Sequence, residues 1–212
     1  MSMTQTTDPV RLAAELRARS ATGRLIVAVA GAPGSGKSTF ADTLVAGLND
    51  GAPGTAAVLP MDGYHYDDLY LQPAGLLPRK GAPHTFDVGG FYHTLQRLRA
   101  RDERQVAVPV FDRKIEIARA GARLIGADVP VIVAEGNYLL LAADPWARLR
   151  PMFDLTVMIE VAEPVLRARL ARRWEGFGMT EEEITRKLEQ NDLPNGRLVR
   201  TDSAPADYRI VG

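Results

Sequence analysis

Residues 25–40, "LIVAVAGAPGSGKSTF", join an apolar run to a glycine-rich turn and then to a helical pattern. The turn has the form Gly-x-x-x-x-Gly-Lys-Ser, from Gly31 to Ser38. Its glycines let backbone N–H groups turn inward around phosphate oxygens, and the following helix adds the positive end of its dipole. This composition between a strand and a helix indicates a phosphate-binding loop, or P-loop. A dinucleotide fingerprint does not fit, because Thr39 stands where its third glycine is required.

The P-loop predicts a binding site for a nucleoside triphosphate. In such a loop the lysine, here Lys37, reaches the β- and γ-phosphates, and the hydroxyl of Ser38 ligates magnesium. ATP and Mg²⁺ are therefore the predicted cofactors. The predicted nucleotide-binding residues of the loop are Gly31, Ala32, Pro33, Gly34, Ser35, Gly36, Lys37, Ser38 and Thr39.

The motif alone does not separate kinases from GTPases, motors and transport ATPases. Residues 87–90, "DVGG", imitate the Asp-x-x-Gly of GTPases, but they follow "GAPHTF" rather than an apolar strand. No Asn-Lys-x-Asp motif for guanine occurs in the chain. Asp87 also suits the N-cap of a helix over 90–101. GTPase chemistry is therefore disfavoured, and the role of Asp87 stays open at this point.

Apolar runs alternate with helical patterns along the chain. The predicted strands cover 25–30, 56–59, 106–111, 129–134 and 155–161. The predicted helices begin at Asp8-Pro9, Ser38, Gly90, Glu163-Pro164 and Thr180. Two prolines, Pro109 and Pro130, indicate strands that are edge-like or begin late. The pattern predicts an α/β fold, a three-layer P-loop NTPase sandwich with a mostly parallel central sheet. We expect one domain, 1–212, with a small helical lid at about 163–190.

Composition excludes several classes of function. Lys plus Arg and Asp plus Glu number 26 each, so the chain lacks the positive excess that binding to nucleic acid or an anionic membrane requires. It has no cysteine, and residues 1–10 lack the pattern of a signal peptide. We expect a cytoplasmic protein whose partner is a small-molecule substrate. The oligomeric state stays open, with a homodimer among the alternatives.

Two carboxylates stand where predicted strands end. Asp62, in "LPMDGYHYDD" (59–68), follows the run after the P-loop helix, and Glu135 follows the run 129–134. The carboxyl ends of parallel strands open into the ligand crevice, so both should lie near Lys37. Glu135 is the predicted Walker B acid and, with Ser38, a magnesium ligand. Asp62 is the predicted base for a substrate hydroxyl; a carboxylate on the magnesium side and an ordinary turn residue are the alternatives.

The segment after Asp62 suggests an acceptor pocket. Gly63 would let the chain turn close to the substrate. His65 and Tyr66 present rings with polar tips, which suit a small polyhydroxylated molecule. Packing or surface roles remain the alternative for both rings.

The chain resembles a known family through an ordered set of motifs. They are "GAPGSGKST", "LPMDGYH", "KGAPHTFDVGGF", "VPVFDRK", "VIVAEGNYLLL" and "RLARRW", within about residues 24–200. This order is similar to that in the uridine kinase, phosphoribulokinase and type I pantothenate kinase family, with most likeness to the branch known as fructose-transport-system kinases. The resemblance implies ATP-dependent transfer of a phosphoryl group to a hydroxyl of a small metabolite.

The resemblance also implies roles for single residues. Asp62 and Glu135 match the family's base and Walker B acid. Asp87 stands where relatives bind a substrate hydroxyl, and Phe111 and Arg113 belong to a segment that lines the acceptor pocket. The predicted substrate residues are Asp62, His65, Tyr66, Asp87, Phe111 and Arg113.

Departures from the family pattern indicate the acceptor. Phe111 replaces the family's tyrosine, and "DGYH" (62–65) departs from the Asp-Ser-Phe-Tyr of uridine kinases. Both changes favour a sugar such as fructose over a pyrimidine nucleoside. A nucleoside or pantothenate kinase, or an ATP-binding regulatory protein without transferase activity, remain the alternatives.

The helix that begins at Glu163 carries several arginines. Arg173 continues the apolar stripe of Leu166 and Leu170, Arg169 lies beside that stripe, and Arg167 lies well off it. An arginine on an inward stripe needs an anionic partner, which a triphosphate supplies. Arg169 and Arg173 are therefore predicted catalytic residues with Lys37 and Asp62, and Arg169 is also predicted to bind the nucleotide. Further candidates are Asn191, Asp192 and Asn195 for the acceptor site, and residues 201–210 for the adenine side.

Overall fold

The strand that precedes the P-loop lies inside a parallel sheet. The structure is a computed structural model that describes residues 5–212. Residues 1–4 lie outside the described residues, so the start of the predicted domain and part of the segment 1–10, considered above for a signal peptide, are not described. The strands are β1 (Gln5–Thr6), β2 (Leu25–Gly31), β3 (Ala56–Pro60), β4 (Gln105–Asp112), β5 (Ile117–Gly126), β6 (Val131–Gly136), β7 (Leu155–Glu160) and β8 (Tyr208–Val211). Six of them form the sheet in the order β1-β8-β7-β2-β6-β3, with every pair parallel.

Helices cover both faces of this sheet. They are α1 (Pro9–Ser20), α2 (Lys37–Asn49), α3 (Asp68–Leu71), α4 (Val88–Ala100), α5 (Glu163–Gly176), α6 (Glu181–Lys187) and α7 (Leu193–Asp202). Side chains alternate between the faces of β2. Ile26 and Ala28 pack in one core with Leu95 of α4, whereas Val27 and Val29 pack in the other with α1 and α2. The predicted three-layer α/β sandwich is confirmed.

A smaller apolar cluster lies over the P-loop. Leu166 and Leu170 of α5 pack with Ile184 of α6, Leu193 of α7 and Ala32 of the P-loop itself. The segment 163–190, predicted to be a lid, contains α5 and α6, and Leu170 of α5 packs against Gly34 of the P-loop. Its action as a lid stays a prediction.

Local signals in the sequence explain several boundaries. The Asp8 carboxylate accepts hydrogen bonds from the first backbone N–H groups of α1, and Thr180 forms a capping box with Glu183. The strand β6 begins only after Pro130, as predicted. These helix starts and this strand start are confirmed.

The predicted strand 106–111 forms, but it does not lie in the parallel sheet. It is part of β4, which pairs antiparallel with β5 in a separate two-stranded hairpin. Pro109 lies at the register shift between Val108 and Val110, where a residue without an N–H is tolerated. The expectation that this run joins the parallel sheet is therefore wrong. The partner β5, "IARAGARLIG", and the short strands β1 and β8 were not predicted, because exposed or two-residue strands lack a continuous apolar run.

Within residues 5–212, none of the helices combines the length and the apolar character needed to cross a membrane.

Candidate active site

Three strand ends place Lys37, Asp62 and Glu135 at one edge of the sheet. Glu135, near the end of β6, pairs in register with Pro60 of β3 and with Val29 of β2. Asp62 follows Pro60 by two residues, in a short 3₁₀ turn (Met61–Tyr64), and Lys37 begins α2 directly after the P-loop. The three side chains were predicted to lie close together, and they do so because the strands that precede them end in register at the same edge of the sheet.

Lys37 and Glu135 form the buried floor of this edge. Their exposed fractions are 8% and 5%. Burial lowers the pKa of Lys37, whereas the nearby Glu135 and Asp62 carboxylates act to raise it. Burial raises the pKa of Glu135, and Lys37 opposes that shift. The Ser38 hydroxyl donates a hydrogen bond to Glu135 Oε2 at 3.1 Å. The Lys37 ammonium group therefore lies beside two oxygen-bearing groups, the Glu135 carboxylate and the Ser38 hydroxyl.

Asp62 forms an ion pair with a residue of the hairpin. Arg113 Nη2 lies 2.5 Å from Asp62 Oδ2. Burial acts to raise the pKa of Asp62, but Arg113, His65 and Lys37 outweigh that effect, and the pKa lies below its usual value. The Asp62 carboxylate is therefore charged, and it is paired with Arg113.

Gly63 brings the hairpin against the Asp62 turn. A Cβ built on Gly63 would lie 2.7 Å from the carbonyl carbon of Pro109 and 3.1 Å from the Val110 nitrogen, both in β4. No side chain fits in that space, so glycine is required by close approach of two backbones. Contact with the hairpin is thus the observed reason for glycine at this position, and the expectation that Gly63 lets the chain turn close to the substrate stays a prediction.

His65 is held in one tautomer. Its Nδ1 lies 2.7 Å from the Asp62 carbonyl oxygen. A carbonyl can only accept, so Nδ1 carries the hydrogen and Nε2 is left as an acceptor. The ring packs between Phe86 and Phe111, at centroid distances of 4.0 and 4.8 Å. Burial lowers the pKa of His65, which keeps the ring neutral and able to accept a hydrogen bond from a hydroxyl.

A cleft of about 170 Å³ joins these groups. The predicted site residues that line it are Pro33, Gly34, Gly36, Lys37, Ser38, Thr39, Asp62, His65, Phe111, Arg113 and Arg173. Asn191, Asp192 and Asn195, the further acceptor candidates, also line it. The structure therefore gathers most of the predicted nucleotide and acceptor residues around one polar space.

Two predicted substrate residues lie outside this cleft. Asp87 Oδ1 accepts a hydrogen bond from Gly90 N at 2.8 Å and so caps α4. The Tyr66 ring packs against Tyr70, with centroids 5.1 Å apart. The geometry thus favours the helix-cap alternative for Asp87 and the packing alternative for Tyr66, because both side chains are engaged away from Lys37.

The arginines of α5 separate as their helical spacing predicts. Arg169 Nη1 donates to the carbonyl oxygens of Ser35 and Gly34 at 3.3 and 3.4 Å, while Arg173 lines the cleft. Arg167 instead forms a surface ion pair with Glu189 at 2.6 Å. Two arginines therefore face the P-loop side and one faces solvent.

We expect replacement of Arg169 or Arg173 by alanine to lower kcat at least about tenfold, since arginines that face a transferring phosphoryl group stabilise its charge. The matched control is Arg167→Ala, expected to stay within about twofold of the parent, because an exposed ion pair contributes little. Steady-state ADP release measures all three variants. Equal, small losses of kcat in the three variants would indicate that all three arginines lie on a solvated face of α5.

Four polar residues of the cleft, Lys80, Glu116, Asn137 and Lys187, were missed by sequence reasoning. Lys80 lies in the loop after α3 and donates to Asp68 Oδ1 at 2.6 Å and to the Glu116 carbonyl oxygen at 2.7 Å. Asn137, just after β6, has a buried Oδ1 for which the described residues provide no hydrogen-bond partner. The available signals were a lysine in a glycine- and proline-rich loop and an amide two residues beyond Glu135.

A second cavity, of about 370 Å³, adjoins the P-loop at Ala32. One wall is formed by residues 203–206, within the segment 201–210 that the sequence assigned to the adenine side. The hydroxyl of Ser203 is buried there and finds no partner within residues 5–212. Apolar side chains such as Ile159 and Leu166 line this cavity beside charged ones such as Glu160 and Arg197. A mixed lining with an unpaired hydroxyl is compatible with a flat heterocycle that carries polar edges.

Comparison with known proteins agrees with this geometry. A search of protein-family models found no match. A protein named "Putative uridine kinase C227.14" from Schizosaccharomyces pombe is 31% identical over 191 residues, which cover 87% of this chain and 81% of that protein. The "ATP-dependent kinase-like protein notR'" from Aspergillus versicolor is 31% identical over 164 residues, covering 70% of this chain and 95% of that protein.

Among solved structures, a "putative fructose transport system kinase" from Silicibacter sp. TM1040 superposes with a TM-score of 0.87 at 40% identity, covering 96% of this chain and 99% of that one. Fold, P-loop site and relatives together define an ATP-dependent P-loop kinase. The chain belongs to the uridine kinase, phosphoribulokinase and type I pantothenate kinase family.

Proposed function

We propose that the protein transfers the γ-phosphoryl group of ATP, with Mg²⁺, to a hydroxyl of a sugar or similar polyol, such as fructose. The observation that carries this proposal is the meeting of Lys37, Asp62 and Glu135 beside a polar cleft. Phosphoryl transfer depends on positioning and charge stabilisation, and it needs a group that accepts the proton of the nucleophile.

Residues in the cleft and beside the P-loop divide the reaction between them. Lys37, Arg169 and Arg173 bind and neutralise the phosphates. The acceptor hydroxyl oxygen bonds to the γ-phosphorus while the bond from that phosphorus to the bridging oxygen of the β-phosphate breaks. The hydroxyl proton passes to Asp62, and ADP leaves. Helices α5 and α6, which pack on the P-loop, keep water away from the transferring group.

The oxygen donors beside the P-loop fit a magnesium ion. Ser38 and Glu135 present a hydroxyl and a carboxylate within one hydrogen bond of each other. In the described part of the chain, no cluster of three or more His, Cys, Asp or Glu could hold a metal. Magnesium in kinases binds through one or two protein oxygens plus phosphates and water, so this small donor set suffices. Bound there, the ion would neutralise charge on the phosphates.

The acceptor side suits a compact molecule with several hydroxyls. His65 offers a neutral Nε2 acceptor, and Asn191 and Asn195 offer amide groups. Phe111 contributes an apolar ring face without the hydroxyl expected in nucleoside kinases. The name of the Silicibacter relative points toward sugars as well. These features together favour a sugar over a pyrimidine nucleoside.

The test is a panel of acceptors incubated with ATP and Mg²⁺ and analysed for phosphorylated product. The panel contains fructose, other hexoses, pentoses, uridine, cytidine and pantothenate. We expect product with at least one sugar and little or none with the nucleosides. Phosphorylation of uridine or pantothenate alone would overturn the sugar proposal. ATP binding without turnover on any member would indicate a regulatory protein.

A further inference from the structure

One long helical segment of the protein contains a proline in its interior. Helix α6 continues through Leu188–Asp192 into α7 without a break, and Pro194 lies near the middle of this segment. Proline has no N–H group, and in a regular α-helix its ring collides with the carbonyl group four residues earlier. That carbonyl group belongs to Gln190. The sequence therefore leaves the Gln190 oxygen without the donor that an α-helix would supply.

The helix widens just before this proline. Residues Leu188–Asp192 form a π-helical turn, in which the N–H group of Leu193 donates to the carbonyl oxygen of Leu188, five residues earlier. Widening relieves the collision with the proline ring, and single π-helical turns inside α-helices are frequent at functional sites. The wide turn, as residues 188–192 are called below, carries Asn191 and Asp192, which both line the cleft.

A side chain from another part of the chain supplies the missing donor. Arg79, in the loop after α3, donates from Nη1 to the carbonyl oxygen of Gln190. The backbone of this loop is itself fixed. The N–H group of Arg79 donates to the Leu76 oxygen at 2.8 Å, and the Arg79 oxygen accepts from the N–H group of Ala82 at 2.8 Å. The guanidinium therefore reaches the wide turn from an ordered support.

The next residue on each side makes a second contact. Asn191 Nδ2 donates to the Lys80 carbonyl oxygen at 2.9 Å, and Asn195 Nδ2 donates to Asn191 Oδ1 at 3.1 Å. Two consecutive residues of the loop thus hold two consecutive residues of the wide turn. Lys80, Asn191 and Asn195 line the cleft. Arg79 and Gln190 do not line it, so their contact lies behind the wall that those residues form.

The far end of the wide turn has a separate anchor. Trp174 of α5 donates from Nε1 to Asp192 Oδ2 at 2.7 Å. The helix that carries Arg169 and Arg173 is therefore attached to the wide turn without the help of Arg79. Removal of Arg79 should loosen the turn around Asn191 and leave the phosphate side of the cleft in place.

We propose that Arg79 is a positioning residue for the acceptor: it pairs with the carbonyl oxygen that Pro194 leaves without a helical donor, and so it holds Asn191 and Asn195 at the acceptor end of the cleft. Arg79 acts through the wide turn and does not itself contact the acceptor. The inference rests on the proposed function, because the acceptor end belongs to the same site, but it holds for any small metabolite that the site phosphorylates.

The first test is Arg79→Met, which removes the donor and keeps a long apolar side chain. Kinetics are measured with the acceptor of the panel that gives the most product. We expect kcat/KM for this acceptor to fall about tenfold or more, mainly through KM, since loss of a hydrogen bond from a charged donor has an effect of this size. KM for ATP should stay within about twofold of the parent value. Arg79→Lys keeps a donor and should lower kcat/KM less than about threefold.

The proline provides a second test. Pro194→Ala restores an N–H group four residues after Gln190, so the helix itself can pair with that oxygen. Two substitutions that act through one oxygen are not additive. Arg79→Met should therefore lower kcat/KM by less than about threefold in the Pro194→Ala background. Hydrogen exchange gives a readout without acceptor: amides of residues 188–196 should exchange faster in Arg79→Met than in the parent.

The matched control is Arg17→Met. Arg17 likewise donates to a carbonyl oxygen in the last turn of a helix, that of Gly47 in α2, but it is exposed and lies outside the cleft lining. It should leave both KM values and the exchange of residues 188–196 unchanged. In Arg79→Met, an unchanged KM for the acceptor, unchanged exchange, or equal losses in the two backgrounds would overturn this inference and leave the kinase proposal standing. No product from the parent with any acceptor of the panel would instead overturn the proposed function.

Discussion

Replacement of Lys37 by alanine is expected to lower kcat by about a hundredfold or more. Loss of a preorganised charge that faces the developing transition state typically has an effect of this size. Lys37 is almost fully buried between Glu135 and Asp62, so neither water nor another cation can readily take its place. ADP release under saturating ATP, with the acceptor that the panel identifies, measures the loss.

The chain provides a matched control for this variant. Lys114 is exposed in the hairpin turn, outside the cleft lining, and Lys114→Ala should retain the activity of the parent. Circular dichroism and Tm of both variants establish that they fold. Near-full activity of a folded Lys37→Ala protein would contradict the assignment of the P-loop as the phosphate site.

The second large effect is expected from Asp62→Asn. The amide has nearly the shape of the carboxylate but cannot accept the proton of the acceptor hydroxyl. Loss of a general base lowers kcat by roughly 10²- to 10⁴-fold. ATP affinity should change little, because Lys37 and the P-loop amides are untouched. A nucleotide titration that follows tryptophan fluorescence, together with kcat, separates the two effects.

Asp102→Asn is the control for this second variant, since Asp102 is exposed after α4 and does not line the cleft. Its kcat should equal that of the parent. A collapse of ATP affinity in Asp62→Asn, with normal residual turnover, would make Asp62 a metal-side or structural residue instead of the base.

The parts of the site that follow buried strands were predictable from sequence. A parallel strand ends at a known edge of its sheet, so Lys37, Asp62 and Glu135 had to converge once their strands were recognised. The arginines of α5 were separable because helical periodicity alone determines which of them face the P-loop.

Other parts depend on contacts that no local pattern contains. The β4 run is as apolar as a central strand, and only its pairing with the polar β5 places it in the hairpin. Asp87 and Tyr66 are close in sequence to groups of the cleft, but a helix cap and a ring contact direct them elsewhere. Lys80 reaches the cleft through a loop whose path is determined by tertiary contacts, including the hydrogen bond from Asn191 Nδ2 to the Lys80 carbonyl oxygen at 2.9 Å.

The contact between Gly63 and Pro109 bears on directed evolution of new acceptor specificity. It joins the turn of the base to the hairpin through main-chain atoms, and so it does not depend on which side chains follow β4. A mutant library that varies positions 114–116 can therefore change the chemistry of this end of the cleft while the ion pair between Arg113 and Asp62 is kept. A library that varies Gly63 would shift Asp62, the candidate base, and is expected to be dominated by inactive members. The hairpin turn is thus the position at which this scaffold tolerates diversification.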